Sequence, residues 1–448
     1  MEDKDSLIQA LNQTRARTLA LIDSLPVDKL VVPYHPGVNP PLWELGHAAF
    51  FYEVFVLAEL DQRPSYDPAM DDLWDSFHID HKDRWQPGLF PGRDDARRYF
   101  TTIYDRIEER MRTQPLTDWA RYLYRYAICH QNMHVESMIW CRQTAGYEAP
   151  PDTRLPDPEA PAGHLPVDLG DARVPAGAYA VGMPANSADY AGRDFAFDNE
   201  KPRFEVELAG FDISRTLVTN AEFMAFVEDD GYKRRDLWSF GGRKWLDTEV
   251  DVALVHGLKE RVLRTPRHPL YWRYQKGQWQ ERLFDRWQPL QPDYPVTHVT
   301  YWEAEAYCHW AGRRLPTEHE WEAAALNNRA GEAFNRFPWG DTLHPDRVDM
   351  DAGAMAQQSV AALPDGDSPF GCRQMLGTVW EWTTDQFLPY DGFAVDIYPY
   401  MSTLQFGDHK ITKGGSCATS SLLIRGTYRQ AYLPLRNDVY TGFRTCAL

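Results

Sequence analysis

The sequence predicts two domains, an all-α helical bundle followed by an α+β domain rich in irregular loops. Three observations predict this. From Lys4 to about Tyr147 apolar residues recur at helical spacing with little glycine. The stretch from Glu148 to Pro166 then carries six prolines, a composition that sustains neither a helix nor a central strand. Beyond it, short alternating segments are separated by turns rich in Gly, Pro, Asp and Asn.

Leu7, Leu11, Leu19 and Leu21 open the first helical pattern, and Tyr99, Ile103, Ile107 and Met111 repeat it later. Residues 1–150 are therefore expected to be an antiparallel bundle and 151–166 a stiff, extended linker. In 167–448 the alternation Tyr179-Ala180-Val181-Gly182-Met183 and Arg203-Phe204-Glu205-Val206-Glu207-Leu208 marks strands, interrupted only by brief helical patterns. At 448 residues the chain exceeds what one hydrophobic core holds.

Charge narrows the partners. A formal net charge of −18 would repel the phosphates of nucleic acid or an anionic membrane, so small molecules are the expected partners. The first ten residues lack a basic start followed by an apolar core, and no run of about eighteen apolar residues occurs, so a cytoplasmic protein is expected. Cys129, Cys141, Cys308, Cys372, Cys417 and Cys446 form no CxxC pair and read as reduced, buried thiols.

The segment that carries chemistry is Cys129-His130-Gln131-Asn132-Met133-His134-Val135-Glu136. Histidines four apart on a helix share a face and can grip one metal ion, and His47 in Trp43-Glu44-Leu45-Gly46-His47 would complete a facial set. Three neutral imidazoles leave positions open for substrates, unlike a closed structural zinc site. Imidazole suits iron, copper and zinc alike. His78 and His81 are alternative ligands; His47 is preferred because its helical, apolar setting holds it rigid. Glu44 and Glu136 are possible orienting carboxylates behind the ligands, though both could equally face solvent.

The second half carries a dense set of motifs in order: Phe211-Asp212-Ile213-Ser214, Val218-Thr219-Asn220, Pro295-Val296-Thr297-His298, Arg313-Arg314-Leu315-Pro316-Thr317-Glu318-His319-Glu320-Trp321-Glu322, Phe337-Pro338-Trp339-Gly340-Asp341, Val379-Trp380-Glu381-Trp382, Gly414-Gly415-Ser416 and Gly442-Phe443-Arg444. Together they resemble the formylglycine-generating-enzyme or sulfatase-modifying fold. In the Arg313 to Glu322 motif, Arg, Glu and Trp are expected to build the fold through buried ion pairs and indole packing. The copper-binding cysteine pair of the formylglycine-generating enzymes is not matched by Cys417 and Cys446, so peptide-cysteine oxidation is discounted. An N-terminal bundle with the WELGH and HxxxHxE segments resembles the DinB-like domain fused to this same fold in the non-heme iron sulfoxide synthases. That resemblance covers nearly the whole chain.

The resemblance implies Fe(II) on His47, His130 and His134, dioxygen as co-substrate, and an imidazole carbon of hercynine bonded to sulfur or selenium from a second substrate. It further implies a tyrosine that supplies a proton or hydrogen atom; Tyr390, Tyr398 and Tyr400 lie in the corresponding segment, with Tyr398 and Tyr400 the candidates. Substrate contacts are assigned by the same resemblance to His81, Arg84, Met133, Gln430, Tyr432 and Arg436. Relatives carry an arginine pair where this chain has His81 and Arg84, often Gln where it has Met133, and Asn where it has Gln430. A donor rich in carboxylates would lose partners here. An uncharged selenosugar would not, and the segment from Tyr34 to His47 resembles the selenoneine-synthase branch. The leading expectation is carbon–selenium bond formation with a selenosugar; an ergothioneine-type enzyme using γ-glutamylcysteine or cysteine is the alternative, and a non-catalytic, metal-stabilised binding protein is a third. The acidic stretch Asp341 to Asp351 is a possible structural calcium site.

Overall fold

The computed structural model describes residues 3–157, 169–184, 195–247, 267–329, 331 and 334–448. Most of the proline-rich linker thus lies outside the described residues, as does part of the segment Glu228 to Asp293, which carries Trp238, Trp245, Trp272, Trp279 and Trp287. The chain divides into two compact units: Met1–Pro151 with Pro184–Phe197 and Val395–Pro399, and Asp152–Met183 with Asp198–Ala394 and Tyr400–Leu448.

The first unit is helical. Its elements are α1 (Lys4–Asp23), α2 (Pro41–Tyr52), α3 (Ala58–Asp61), α4 (Pro68–Trp74), α5 (Arg93–Thr113) and α6 (Asp118–Ala145). Asp3 and Thr117 begin α1 and α6 by accepting from backbone N–H groups of the first turn. Gly146, at φ 68°, ends α6 in the left-handed conformation that residues with a Cβ avoid. Helix α2 packs against α5 and α6, and α1 against α6 and α5. The predicted stripes supply the core: Leu7, Leu11, Ile103 and Ile107 are wholly buried, each such side chain contributing about 1.5–3 kcal/mol. Between α2 and α3 the helix loosens into a π turn over Glu53–Leu57, a distortion that often marks functional ground. Glu53 is buried there and held by both oxygens to Arg106 Nη1 at 2.9 and 2.8 Å.

The second unit is α+β. Its elements are β1 (Asp171–Val174), β2 (Gly177–Val181), β3 (Phe204–Leu208), β4 (Phe211–Ser214), α7 (Asn220–Glu228), α8 (Phe240–Asp247), β5 (Trp272–Gln275), β6 (Gln278–Leu283), β7 (Arg286–Pro289), α9 (Tyr301–Ala311), β8 (Arg313–Arg314), α10 (Glu318–Leu326), β9 (Trp380–Gln386), β10 (Lys410–Lys413), β11 (Arg429–Tyr432), β12 (Thr441–Gly442) and β13 (Cys446–Ala447). One sheet runs β1-β4-β13-β8, a second β11-β10-β9-β12 with β12 parallel to β9, and β2-β3 and β5-β6-β7 form smaller antiparallel sets.

The ordered motifs serve the fold. Thr219/Glu222, Thr300/Glu303 and Thr317/Glu320 each form a capping box at the start of α7, α9 and α10. Arg314 meets Glu320 through two hydrogen bonds of 2.7 and 2.8 Å, and Arg444 meets Glu381 at 2.7 and 2.9 Å in full burial. Trp321 is buried, with Lys413 over its ring while that ammonium donates to Glu322 at 2.9 Å. Of that segment's tryptophans, Trp238 is buried and stacked on Trp245, and Trp272, Trp279 and Trp287 stand on the β5-β6-β7 meander. All six cysteines are buried and unbridged. Among the described residues no helix is long and apolar enough to cross a membrane.

Candidate metal centre

Helices α2 and α6 of the first unit bring three histidines together. The ligand atoms of His47, His130 and His134 all lie within 4.8 Å of one another, the only such group of three or more ligating side chains among the described residues. His130 and His134 share a face of α6 because they are four apart, and their Nε2 atoms stand 3.2 Å from each other. His47 comes from α2, its ring centroid 4.8 Å from that of His134 and 5.5 Å from that of His130.

Each ring is aimed from behind. His47 Nδ1 donates to the Trp74 carbonyl at the end of α4, 2.7 Å away. That approach depends on Gly46: a Cβ there would stand 2.2 Å from the Trp74 indole, so the glycine lets α4 close on α2. His134 Nδ1 donates to Glu44 Oε2 at 2.5 Å. The other Glu44 oxygen accepts from Ser137 Oγ at 2.6 Å and from Asn39 Nδ2 at 3.1 Å. Asn39 in turn accepts from Arg84 Nη1 at 2.6 Å, and the Arg84 guanidinium lies 3.6 Å over the Trp43 ring. His130 is held by packing, its ring stacked on Phe51 at 3.9 Å.

Electrostatics keep His47 and His130 neutral. Burial, with the neighbouring His134 adding to it, pulls His47 down to about 3, and burial pulls His130 well below the ordinary histidine value. Burial alone would raise Glu44, but the charge and hydrogen bond of His134, with Ser137 and Asn39, hold it below the usual carboxylate value. With Nδ1 of His47 and of His134 engaged as donors, Nε2 is the ring nitrogen each has left for a metal, and the Nε2 atoms of His134 and His130 stand 3.2 Å apart. Donors each about 2.0–2.1 Å from one ion stand at about that spacing, so the three residues fit a single metal ion with imidazole ligation and a carboxylate–histidine support.

The other predicted residues fall as follows. Tyr398 belongs to the first unit: its ring is 5.9 Å from His130 and edge-on to Phe51 and Phe55 at 5.5 and 5.1 Å, and its hydroxyl is 3.5 Å from Ser76 Oγ. The π turn aims Phe55 at it. Tyr400 lies in the second unit and is exposed, and Tyr390 is buried there against Arg429 and Glu318. His81 bonds through Nε2 to the Val38 carbonyl at 2.8 Å, and His78 is exposed beside Asp72 and Asp75; neither joins the cluster. Met133 is half-buried, one residue before His134. In the second unit Gln430 and Tyr432 stand on β11, and Arg436 is paired with Asp438 at 2.6 and 2.7 Å. In the acidic stretch, Asp349 accepts from the Ala354 and Ala356 amides at 3.0 and 2.8 Å, and no group of three His, Cys, Asp or Glu side chains converges there among the described residues.

Sequence reasoning placed Glu44 only as one of two candidate supports, and it missed Trp74, Asn39 and Ser137. Ser137 was findable, seven residues beyond His130 and three beyond His134 on the same helix. Trp74 acts through its carbonyl, which no residue type announces.

Residues 169–447 match the sulfatase-modifying factor enzyme 1-like domain and residues 10–140 the DinB superfamily. The chain is 32% identical over 452 residues to the hercynine oxygenase of Mycolicibacterium smegmatis, covering 98% of both chains. It is 31% identical over 449 residues to the hercynine oxygenase of Mycobacterium tuberculosis, covering 99% of both. The formylglycine-generating enzyme of Streptomyces coelicolor is 33% identical over 265 residues, 55% of this chain and 78% of that one.

Proposed function

Because this chain belongs to the hercynine oxygenase family, oxidative enzymes that join a DinB-superfamily domain to a sulfatase-modifying factor enzyme 1-like domain, we propose that it is an Fe(II)- and dioxygen-dependent enzyme that bonds the imidazole of hercynine to selenium from a selenosugar, giving selenoneine. The observation that carries the reading is the cluster of three imidazoles, His47, His130 and His134, in a chain similar over its full length to hercynine oxygenases. Iron held there supplies open positions where dioxygen and both substrates meet, converting a three-body encounter into reaction within one site.

The protein's own groups do the rest. Glu44 and the Trp74 carbonyl keep the ligand tautomers and ring angles set before substrate arrives. Tyr398 is the proton or hydrogen-atom donor, since its ring lies 5.9 Å from His130 and its hydroxyl near Ser76. Phe51 and Phe55 exclude water around it. Unbridged thiols throughout the chain accord with a cytoplasmic setting.

Two observations support an uncharged donor. Arg84 spends its guanidinium on Asn39 and Trp43, and Arg436 spends its own on Asp438. His81 faces the Val38 carbonyl, and Met133 offers only a thioether. Gln430 and Tyr432 provide amide and phenol groups suited to hydroxyls. The names of the relatives favour a sulfur donor instead, an ergothioneine-type reaction with γ-glutamylcysteine or cysteine. The test is anaerobic loading with Fe(II), then air and hercynine with either a selenosugar or γ-glutamylcysteine, read by oxygen uptake and mass spectrometry. A selenium-containing hercynine adduct is expected. Turnover of the thiol alone would replace the selenium reading, and no rise in oxygen uptake with either donor would sink the enzymatic reading itself.

A further inference from the structure

Helix α6 carries more than metal ligands. Trp119, Tyr122, Tyr126, His130 and His134 fall at i, i+3, i+7, i+11 and i+15, one continuous face. Trp119 stacks on Tyr122 at 5.7 Å between ring centroids, and Tyr126 is 6.0 Å from Tyr122. Phe51 bridges onward, 5.8 Å from Tyr126 and 3.9 Å from His130. Along the helix Trp119 stands about 16 Å from His130 at 1.5 Å per residue. Tyr122 and Tyr126 are buried, whereas Trp119 is 37% exposed. The stripe therefore runs from the histidine cluster to the surface.

Apolar bulk is all a core stripe needs, and leucine or phenylalanine would supply it. Indole and phenol add one property, that they yield an electron far more readily than phenylalanine or leucine. A phenol does so only if its proton has somewhere to go. The Tyr122 hydroxyl donates to the Asp396 carboxylate within the same unit, which is such an acceptor. Acceptor, ring contacts and an exposed terminal indole are the three parts that a one-electron conduit requires.

We propose that the Trp119-Tyr122-Tyr126 stripe is an escape route that discharges oxidising equivalents from the metal centre when dioxygen is reduced there without hercynine. The proposal rests on the oxygen-activating reading of that centre. One electron passes inward from Trp119 to Tyr122 and on across the Tyr126 and Phe51 rings, which are not themselves oxidised, and Tyr122 is restored. While Tyr122 is oxidised its proton rests on Asp396, and it returns when Trp119 reduces the ring. Trp119 loses the electron together with its indole N–H proton, which goes to water and balances the proton taken up where dioxygen is reduced. A low-molecular-weight thiol in solution returns one electron and one proton to the indole, and two such thiyl products combine as a disulfide.

The test is peptide mapping by mass spectrometry after the Fe(II)-loaded protein stands in air without hercynine. Oxygen-adduct products are expected to concentrate on Trp119, to diminish when glutathione is present, and to be absent from metal-free protein. Tyr122→Phe is expected to protect Trp119 and shift modification to Tyr126, Tyr398 and Met133. Trp119→Phe, at a half-exposed position that tolerates the change, is expected to keep the initial rate with both substrates and lose several-fold in turnovers before inactivation. Equal oxidation of Trp119 with and without Tyr122 would overturn the route, as would an unmodified Trp119 beside a modified Met133 in the unaltered protein. Oxygen uptake that rises with hercynine, together with a Trp119 that stays intact after the loaded protein stands in air without hercynine, refutes the route alone; no uptake under any condition refutes the reading beneath it.

Discussion

Replacing Glu44 by Gln tests the support of the metal centre directly. The carboxylate is wholly buried and accepts three hydrogen bonds, from His134 Nδ1 at 2.5 Å, Ser137 Oγ at 2.6 Å and Asn39 Nδ2 at 3.1 Å. A glutamine of the same shape accepts through one oxygen only, so its amide N–H₂ confronts a donor on one side or the other. If the amide faces His134, two donors meet and the ring turns or changes tautomer. Loss of such a carboxylate–histidine support costs about 10–100-fold in metal affinity, or about 1.4–2.8 kcal/mol. Burial of an unsatisfied donor costs stability by about 1–3 kcal/mol. The assay is anaerobic titration of the metal-free variant with Fe(II) against a competing chelator, alongside thermal melting of the metal-free form. Expected are weaker binding by one to two orders of magnitude and a lowered melting temperature. Ser137→Ala, which leaves the His134 contact in place, should show a smaller loss of affinity. Affinity within twofold of the parent for Glu44→Gln would refute the claim that this carboxylate sets the ligand.

Three further outcomes follow from particular contacts. Gly46→Ala drives a methyl into the Trp74 indole, 2.2 Å from its nearest atom; melting should show a loss of about 1–3 kcal/mol, and Fe(II) affinity should fall as the Trp74 carbonyl leaves His47. Tyr398→Phe should retain Fe(II) affinity while product formation in the presence of hercynine and donor drops about 10²-fold, the scale of a lost proton donor; an unchanged rate would remove Tyr398 from the reaction. Glu281, buried in the second unit with Gln288 donating at 3.0 Å, has its carboxyl raised by burial to about 7 from 4.5. The folded state holds that proton to higher pH than the unfolded chain, so its contribution is fullest below pH 4.5 and lost as pH rises to 7. Glu281→Gln should therefore gain stability relative to the parent between pH 5 and 8, by at most about 3 kcal/mol, and parallel melting curves across that range would refute this.

Much of the centre was legible in the chain because its information is local. Histidines four apart on a periodic helix must share a face, and the apolar spacing that declares α6 a helix lies in the same residues. Arg84 shows where local reading stops. From sequence it is a cation available to a substrate carboxylate, whereas in the folded unit it lies over Trp43 and donates to Asn39, which in turn donates to Glu44. Tyr398 and Tyr400 show the same limit: two residues apart, they were equal candidates, and only the first lies against Phe51, Phe55 and His130.

The sequence by itself determined the helical half, the order of motifs in the other half, and the imidazole pair of His130 and His134, because periodicity and turn chemistry act over a few residues. Only the tertiary structure decided how closely the expected His47 meets that pair, that the Trp74 carbonyl aims it, that Glu44 and not Glu136 holds His134, and that Tyr398 stands beside the cluster. Those depend on how closely helices distant in the chain approach one another. A missing Cβ at Gly46 and a π turn before α3 set that distance, and neither states its partner in the residues around it.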